Sequence, residues 1–464
     1  MTLDAEPETR GPFSTFRQGA GIRLLPPLLG ALARRRSATM AGRVMATMVE
    51  PIAHQSAGTY RLLGLPKAGF TEDLLAAFGG DPRFALYGFG RDFVKAPYPA
   101  FLPPWVDDNN YKSAPASLDA AKLELRKFWA DAWRPVQRVA RAQAVLTGNF
   151  AYHAEQEFAA AVQASGTPVI AMHKEALKTP GLDGFFRYLY ETRRQPFPGA
   201  RVCVYNNIER DIQLYAGIVP ESRITVSGMP RLDRIHHWRV AAAARPQGQP
   251  ARPRVLFFSF HPKTGLPSLP RKPGAPEGRL EHLGEGLDEL SWNRLVAASH
   301  RAVTRLAMDN PDIDVVVKGK GDLLKWLKLT GAEGALRPGP NLRVMVGGDP
   351  QDLIMGATVI CGFTTTALLE AMAAGKRVIV PRFFEAVEER TAPYFLDLAG
   401  AVDHADSEDD LYARLLHGVR NPQPVTAELP PERARLLTHW AGNPDGKSGA
   451  RVAAAVLAEL EARR

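Results

Sequence analysis

The segment "VICGFTTTALLEAMAAGKRVIVP", Val359 to Pro381, constrains the fold more than any other. Two short runs of Val and Ile flank a helix-forming stretch, and both runs are apolar throughout, as strands buried on both faces are. A helix between two strands is the connection of a parallel pair, because a hairpin closes over far fewer residues. The chain must therefore build a parallel sheet with helices packed on its faces.

The alternation recurs. From Val145, "AVLTGNF", "TPVIAMHKE", "ARVCVYN" and "RITVSGMP" read as strands separated by helices, and after an Ala-, Pro- and Gln-rich stretch the pattern restarts with "RVLFFSF", "DIDVVVKG" and "NLRVMVGG". The fold class expected is α/β, with two Rossmann-like domains facing a central cleft and a basic N-terminal extension. The boundaries are a basic arm over 1–52, a first domain over 53–238, a linker over 239–252, a second domain over 253–425, and C-terminal helices over 426–464. Region 53–141 is less periodic and shows no clear strands. Helices are expected in "DLLKWLKLTG" and "SEDDLYARLLHGV".

With 58 Lys and Arg against 49 Asp and Glu, the net charge of +9 favours anionic partners. Arg10 to Arg43 contains seven arginines and no acid around "IRLLPPLLGALA", and reads either as an interfacial anchor on an anionic membrane surface or as a solvated arm. Pro26 and Pro27 are expected to break any long helix there. No apolar run is long enough to span a bilayer, and the acidic start lacks the pattern of a secretory signal. The two cysteines, Cys203 and Cys361, lie in strand-like runs and fit a reducing cytoplasm. No zinc-binding spacing is present, so no metal site is expected. No nucleic-acid-binding motif accompanies the charge.

Ligands of open parallel sheets bind outside the carboxyl ends of the strands, so polar residues there are the candidates. Thr364, Thr365 and Thr366 fall at a helix N-terminus, where one hydroxyl suffices for capping and the rest, with the helix dipole, suit a phosphate. Gly362 is expected to let a ligand approach the backbone, and Glu370, one turn into the helix, to accept from ribose hydroxyls. His261 and Lys263 in "FFSFHPKTG", with Lys318 and Lys320 in "VVVKGKGD", end two further strands and offer donors to a diphosphate. Strand alternation places Lys318 and Lys320 on one side. In the first domain His173 and Glu175 end a strand where a catalytic base is expected. His153, Glu155, Glu157, Asn206, Asn207 and Glu209 occupy strand-to-helix junctions and read first as capping or surface groups. Arg231 lies at the hinge, reaching either the cleft or Asp233.

"GDPQDLIMGATVICGFTTTALLEAMAAGKRVIVP", with "MHKEAL", "SGMPRLD" and "FHPK", resembles two-domain (GT-B type) glycosyltransferases and bacterial surface or capsular polysaccharide biosynthesis proteins. The resemblance covers roughly Val145 to Gly400. It implies a nucleotide-sugar donor as substrate rather than a bound cofactor, held in the second domain. The diphosphate would meet Thr364 to Thr366 and Lys318, the ribose Glu370, and the leaving phosphate His261. The acceptor, a polysaccharide or lipid-linked glycan, would face His173 or Glu175. Helix dipoles and basic side chains would make the reaction metal-independent. The implied localisation is cytoplasmic, with a peripheral position at the inner face of the membrane if the arm binds lipid. A polyol-phosphate (CDP-glycerol-like) transferase and a non-catalytic polysaccharide-assembly protein remain the alternatives. A nucleotide-sugar 2-epimerase is disfavoured, since its "H-R-R-E-N" and "S-G-G" stand here as "HPKTG" and "FTTT".

Overall fold

The structure, a computed structural model, describes residues 20–53, 58–108, 110–111, 114–175, 177–193, 196–245, 252–268, 286–321, 326 and 339–463. Two sheets organise it. The first contains β1 (Glu50–Pro51), β2 (Tyr60–Gly64), β3 (Phe84–Gly88), β4 (Ala144–Thr147), β5 (Val169–His173), β6 (Arg201–Val204) and β7 (Ile224–Val226). Their order is β1-β3-β2-β4-β5-β6-β7, parallel except for the edge strand β1. The second contains β8 (Arg254–Phe258), β9 (Asp314–Lys318), β10 (Leu342–Met345), β11 (Val359–Gly362), β12 (Arg377–Pro381) and β13 (Asp403–Ala405), in the fully parallel order β10-β9-β8-β11-β12-β13. That second order is the doubly wound dinucleotide-binding order, and the first is flavodoxin-like over β2 to β6 with one strand added at each edge, β1 and β7.

The apolar strand runs are buried throughout, as in β4 and β11. β2 and β3 resolve the aperiodic region: they are five residues each, and the helix between them, Phe70–Phe78, is nine. Elements this short leave little periodic signal in the sequence.

The arm departs from expectation. A helix, Ala20–Arg34, runs through Pro26 and Pro27, burying Leu29 and Ala33 against Arg91–Lys95 and the turn at Tyr98–Ala100. Burial of that face outweighs the backbone hydrogen bonds the two prolines remove. A second helix, Ala38–Ala46, packs on Asp119–Ala140, where a Cβ at Gly42 would lie 2.1 Å from the Ala132 carbonyl oxygen. Residues 20–46 are thus built into the first domain.

The chain ends also tie the domains together. Helix Pro431–Ala441 packs on Thr366–Ala373 of the second unit, whereas Ser448–Glu461 returns to Phe70–Phe78 of the first. The start of the expected linker, Arg239 to Ala243, belongs to helix Leu232–Ala243. Residues 246–251 lie outside the described residues, as does the helix expected at "DLLKWLKLTG" apart from Trp326. "LIM" before β11 ends a helix, Pro350–Met355, capped by Asp349.

Candidate functional site

Each sheet has one point where strand order reverses, and a crevice opens there at the carboxyl ends. In the second sheet it lies between β8 and β11. The loop after β8 is self-braced: the His261 amide donates to Thr264 Oγ1 at 3.1 Å, and the Lys263 amide donates to His261 Nδ1 at 3.0 Å. Nδ1 therefore accepts, and the neutral imidazole carries its proton on Nε2. Burial and the charge of Lys320 hold His261 below the ordinary histidine range, favouring that neutral donor form.

The threonine turn faces this loop across the crevice. Gly265 approaches it so closely that a Cβ would lie 2.7 Å from Thr364 Cγ2. Thr365 is the N-cap of helix Thr366–Ala373, accepting from the Ala367 amide. Thr364 adopts a φ of 38°, a left-handed conformation that a β-branched residue rarely takes. Its Oγ1 is buried toward the Leu396 amide, leaving Thr365 and Thr366 the half-exposed members of the row.

Three expectations for this side need correction. Lys318 is buried, with its ammonium donating to the carbonyls of Gly319 and Val346, so it does not share a side with the exposed Lys320. Those two carbonyls satisfy it where the strand ends. Gly362 is needed for packing rather than ligand approach, since a Cβ would press on Leu368 and the Phe258 Cβ at 3.1 and 3.2 Å. Lys263 is exposed overall, yet its Nζ donates to the Leu290 carbonyl at 2.7 Å, bracing the loop.

Glu370 lies where the first unit reaches it. Its carboxylate is buried, with Oε1 3.6 Å from Arg231 Nε. Arg231 also meets Asp73, through its own amide at 3.0 Å and its Nη1 at 3.2 Å, and donates from Nη1 to the Tyr205 hydroxyl at 2.7 Å. Gln351 donates to the Arg231 carbonyl at 2.8 Å. Arg231 thus bridges helices of both domains, and the alternative pairing with Asp233 does not form: Asp233 accepts from Asn443 and from the amides of Ser448 and Gly449. Burial raises the carboxyls of Asp73 and Glu370 above their usual range despite the Arg231 charge.

In the first unit His173 is buried, its Nε2 3.0 Å from Glu209 Oε1. Glu209 is fully enclosed and also pairs with Lys178, while Tyr190 and Gln213 donate to its Oε1. Burial pushes this carboxyl up, but Lys178 and His173 outweigh it and hold it at about 2. His173 thus does not face solvent at the end of the strand, whereas Glu175, two residues on, is exposed. Burial raises the Glu175 carboxyl, and the electrostatic influence of His173, Lys174, Lys178 and Lys67 more than reverses that, holding it below the ordinary range. His153 is held by Asp108, and Glu155 and Glu157 are buried against Arg91 and Arg126. Asn206 caps the helix Asn207–Tyr215.

The two units meet through charged side chains. The charges of Arg231 and Lys320 both act on Lys174, and Arg234 pairs with Asp349 at 2.5 Å and with Asp352. Asp73, Tyr205 and Lys67 escaped the sequence reading. Lys67 in "GLPKAGF" follows the hard-to-see strand β2, and Asp73 looks like an ordinary first-turn helix acid.

The chain has two Rossmann-like α/β units, each defined by its strand order. No protein-family model and no curated protein matches it. Among solved structures it is similar to a UDP-GlcNAc 2-epimerase from Neisseria meningitidis bound to UDP-GlcNAc, at 12% identity over 86% of this chain and 98% of that one, TM-score 0.45. It is also similar to the wall teichoic acid polymerase TagF, at 9% identity over 96% and 98%, TM-score 0.41. A glycotransferase of kitacinnamycin matches at 14% over 86% and 97%, TM-score 0.42. At these identities and scores none lends its substrate or residues to this chain.

Proposed function

We propose that the protein is a glycosyltransferase that takes a sugar from a nucleotide-activated donor and passes it to a cell-surface glycan or glycolipid acceptor. The observation that carries this reading is the meeting of the β8 loop and the threonine turn at the second sheet's reversal point. Gly265 of that loop sits against Thr364, and the Lys320 charge acts on His261; in this reading the Nε2–H of His261, the hydroxyls of Thr365 and Thr366, the helix N-terminus and Lys320 share the crevice. Those groups suit a diphosphate, and as it leaves they offset its growing charge without reorganising. Glu370 is the ribose acceptor in this reading, exchanging part of its contact with Arg231 for the sugar hydroxyls. Glu175, ionised and exposed, faces the acceptor as the base.

Thermal-shift titration with UDP, GDP, CMP and CDP tests the donor site. A nucleoside diphosphate is expected to raise the melting temperature by binding only the folded state, and no shift with any of them removes the reading. A polyol-phosphate transferase would release a nucleoside monophosphate in place of the diphosphate, so the product decides between the two.

The N-terminal arm is proposed to rest on an anionic membrane surface. No helix among the described residues is long and apolar enough to cross a membrane. Helix Ala20–Arg34 leaves Leu24 and Leu28 exposed one turn apart, with Arg34 and Arg35 exposed at its end. Flotation with phosphatidylglycerol vesicles, lost in Leu24→Asp/Leu28→Asp, is the expected result. Flotation unaffected by the pair removes the proposal.

A further inference from the structure

The first sheet has a reversal point of its own, between β2 and β4. The rule that places ligands at such crevices applies to it as well. The loop after β2 contributes Lys67, whose Nζ donates to the Tyr152 hydroxyl at 2.7 Å, and Tyr152 follows β4. Lys67 Nζ and Arg91 Cζ both lie over the Tyr152 ring, 4.5 and 3.6 Å from its centroid. From the end of β5, Lys174 reaches back to the same loop, donating to the Ala68 carbonyl at 3.1 Å above Gly69. Gly69 has a φ of 77° and no side chain to fill this space.

Three strand ends therefore bring cations to one crevice. Arg91 is neutralised by the buried Glu155, and Lys95 nearby by Asp92, but Lys67 is exposed and Lys174 half-exposed, with Glu175 offsetting both and Asp73 also acting on Lys174. Burial, and then the charges of neighbouring cations, lower both lysines from their usual range. Like charges held this close are relieved when an anion enters. The tyrosine ring gives one wall an apolar face.

We propose that this crevice is an oxyanion subsite, in which Lys67 and Lys174 hold a phosphate carried by the acceptor. The assignment rests on the transferase reading, which places the acceptor in the first unit, and it adds the acceptor's chemical class. The phosphate belongs to a sugar or polyol phosphate, or to a lipid diphosphate carrier. Held there, it lies near Glu175, whose charge acts on both lysines, and Lys174 is within range of the Lys320 charge of the second unit.

Calorimetric titration of the full chain with glycerol 3-phosphate and with geranyl diphosphate, at fixed ionic strength and with glycerol as the neutral control, tests it. Lys67→Gln/Lys174→Gln is expected to weaken the bound phosphate compound at least about tenfold, while Lys67→Arg/Lys174→Arg retains it. The probe that binds more tightly identifies the source of the phosphate. No saturable binding of either probe, equal affinity in all variants, or a loss confined to Lys320→Gln overturns the proposal. Nucleotide binding measured on the same proteins separates the outcomes. A chain that binds a nucleoside diphosphate normally but shows no dependence on Lys67 and Lys174 loses the subsite and keeps the donor reading. One that binds phosphate through these lysines and no nucleotide loses the donor reading instead.

Discussion

The reversal points of the two sheets solve the same problem with different chemistry. In the second unit the crevice is lined by neutral donors: threonine hydroxyls, an imidazole N–H and a helix N-terminus, with Lys320 as its exposed cation. In the first it is lined by full charges, Lys67, Lys174 and the paired Arg91, around an aromatic ring. Fixed dipoles stabilise charge that develops during a reaction, whereas ammonium groups attract charge that already exists and do so less well at high salt. In the proposed reading, the contrast is between a site for a leaving diphosphate and one for a resident anion.

Arg231 joins the two sides, and removing it is the largest perturbation of the comparison. Arg231→Ala leaves Asp73 and Glu370 buried without their cation, at an expected loss of about 3 to 5 kcal/mol in urea unfolding. Because burial raises both carboxyls, each contributes stability that is full at acid pH and lost as pH rises through its folded value. The variant, lacking the guanidinium that opposes this, should therefore be hurt more at neutral pH than at acid pH. Equal losses at both would break the assignment of Arg231 as their shared counter-ion.

Within the first unit, Glu209→Gln strips the partner from buried Lys178 and His173, at an expected loss of about 3 kcal/mol near neutrality. Glu209 runs the other way from Asp73: depressed to about 2, it stabilises fully above the ordinary carboxylate range and loses this as pH falls toward that value. The wild-type excess over the variant should therefore shrink on acidification. The second unit is probed by Lys320→Gln, which should weaken the nucleoside diphosphate roughly tenfold with little change in stability, since the side chain is exposed. The smallest effect is expected from Thr365→Ala, about 1 kcal/mol from the lost cap, with a drop in nucleotide-induced stabilisation beyond that. A stability loss without that drop would reduce the threonine turn to a cap.

The second unit was the more legible of the two. Its strands are continuous apolar runs, and its three strand-end loops announced themselves through His261, Lys320 and the threonines. What failed there was local: Lys318 is turned onto two carbonyls that only the folded loop presents, and Gly362 serves a contact with Leu368 that no spacing encodes. The first unit hid more. β2 and β3 are short and lie among turn-rich segments, so the crevice beside β2 had no visible frame. The Asp73, Arg231 and Glu370 cluster joins two helices and the N-cap of a third, and its contact with Glu370 arises only where the two domains dock. In the arm, burial of Leu29 and Ala33 overrode the helix-breaking character of Pro26 and Pro27.

The most direct test of the donor site is a crystal structure with the nucleoside diphosphate that stabilises the protein most. The expected result is a diphosphate within hydrogen-bonding distance of the Thr365 or Thr366 hydroxyl and His261 Nε2, with Lys320 beside it. A nucleotide seated at Lys67 and Tyr152, or anywhere outside the crevice between β8 and β11, would contradict it.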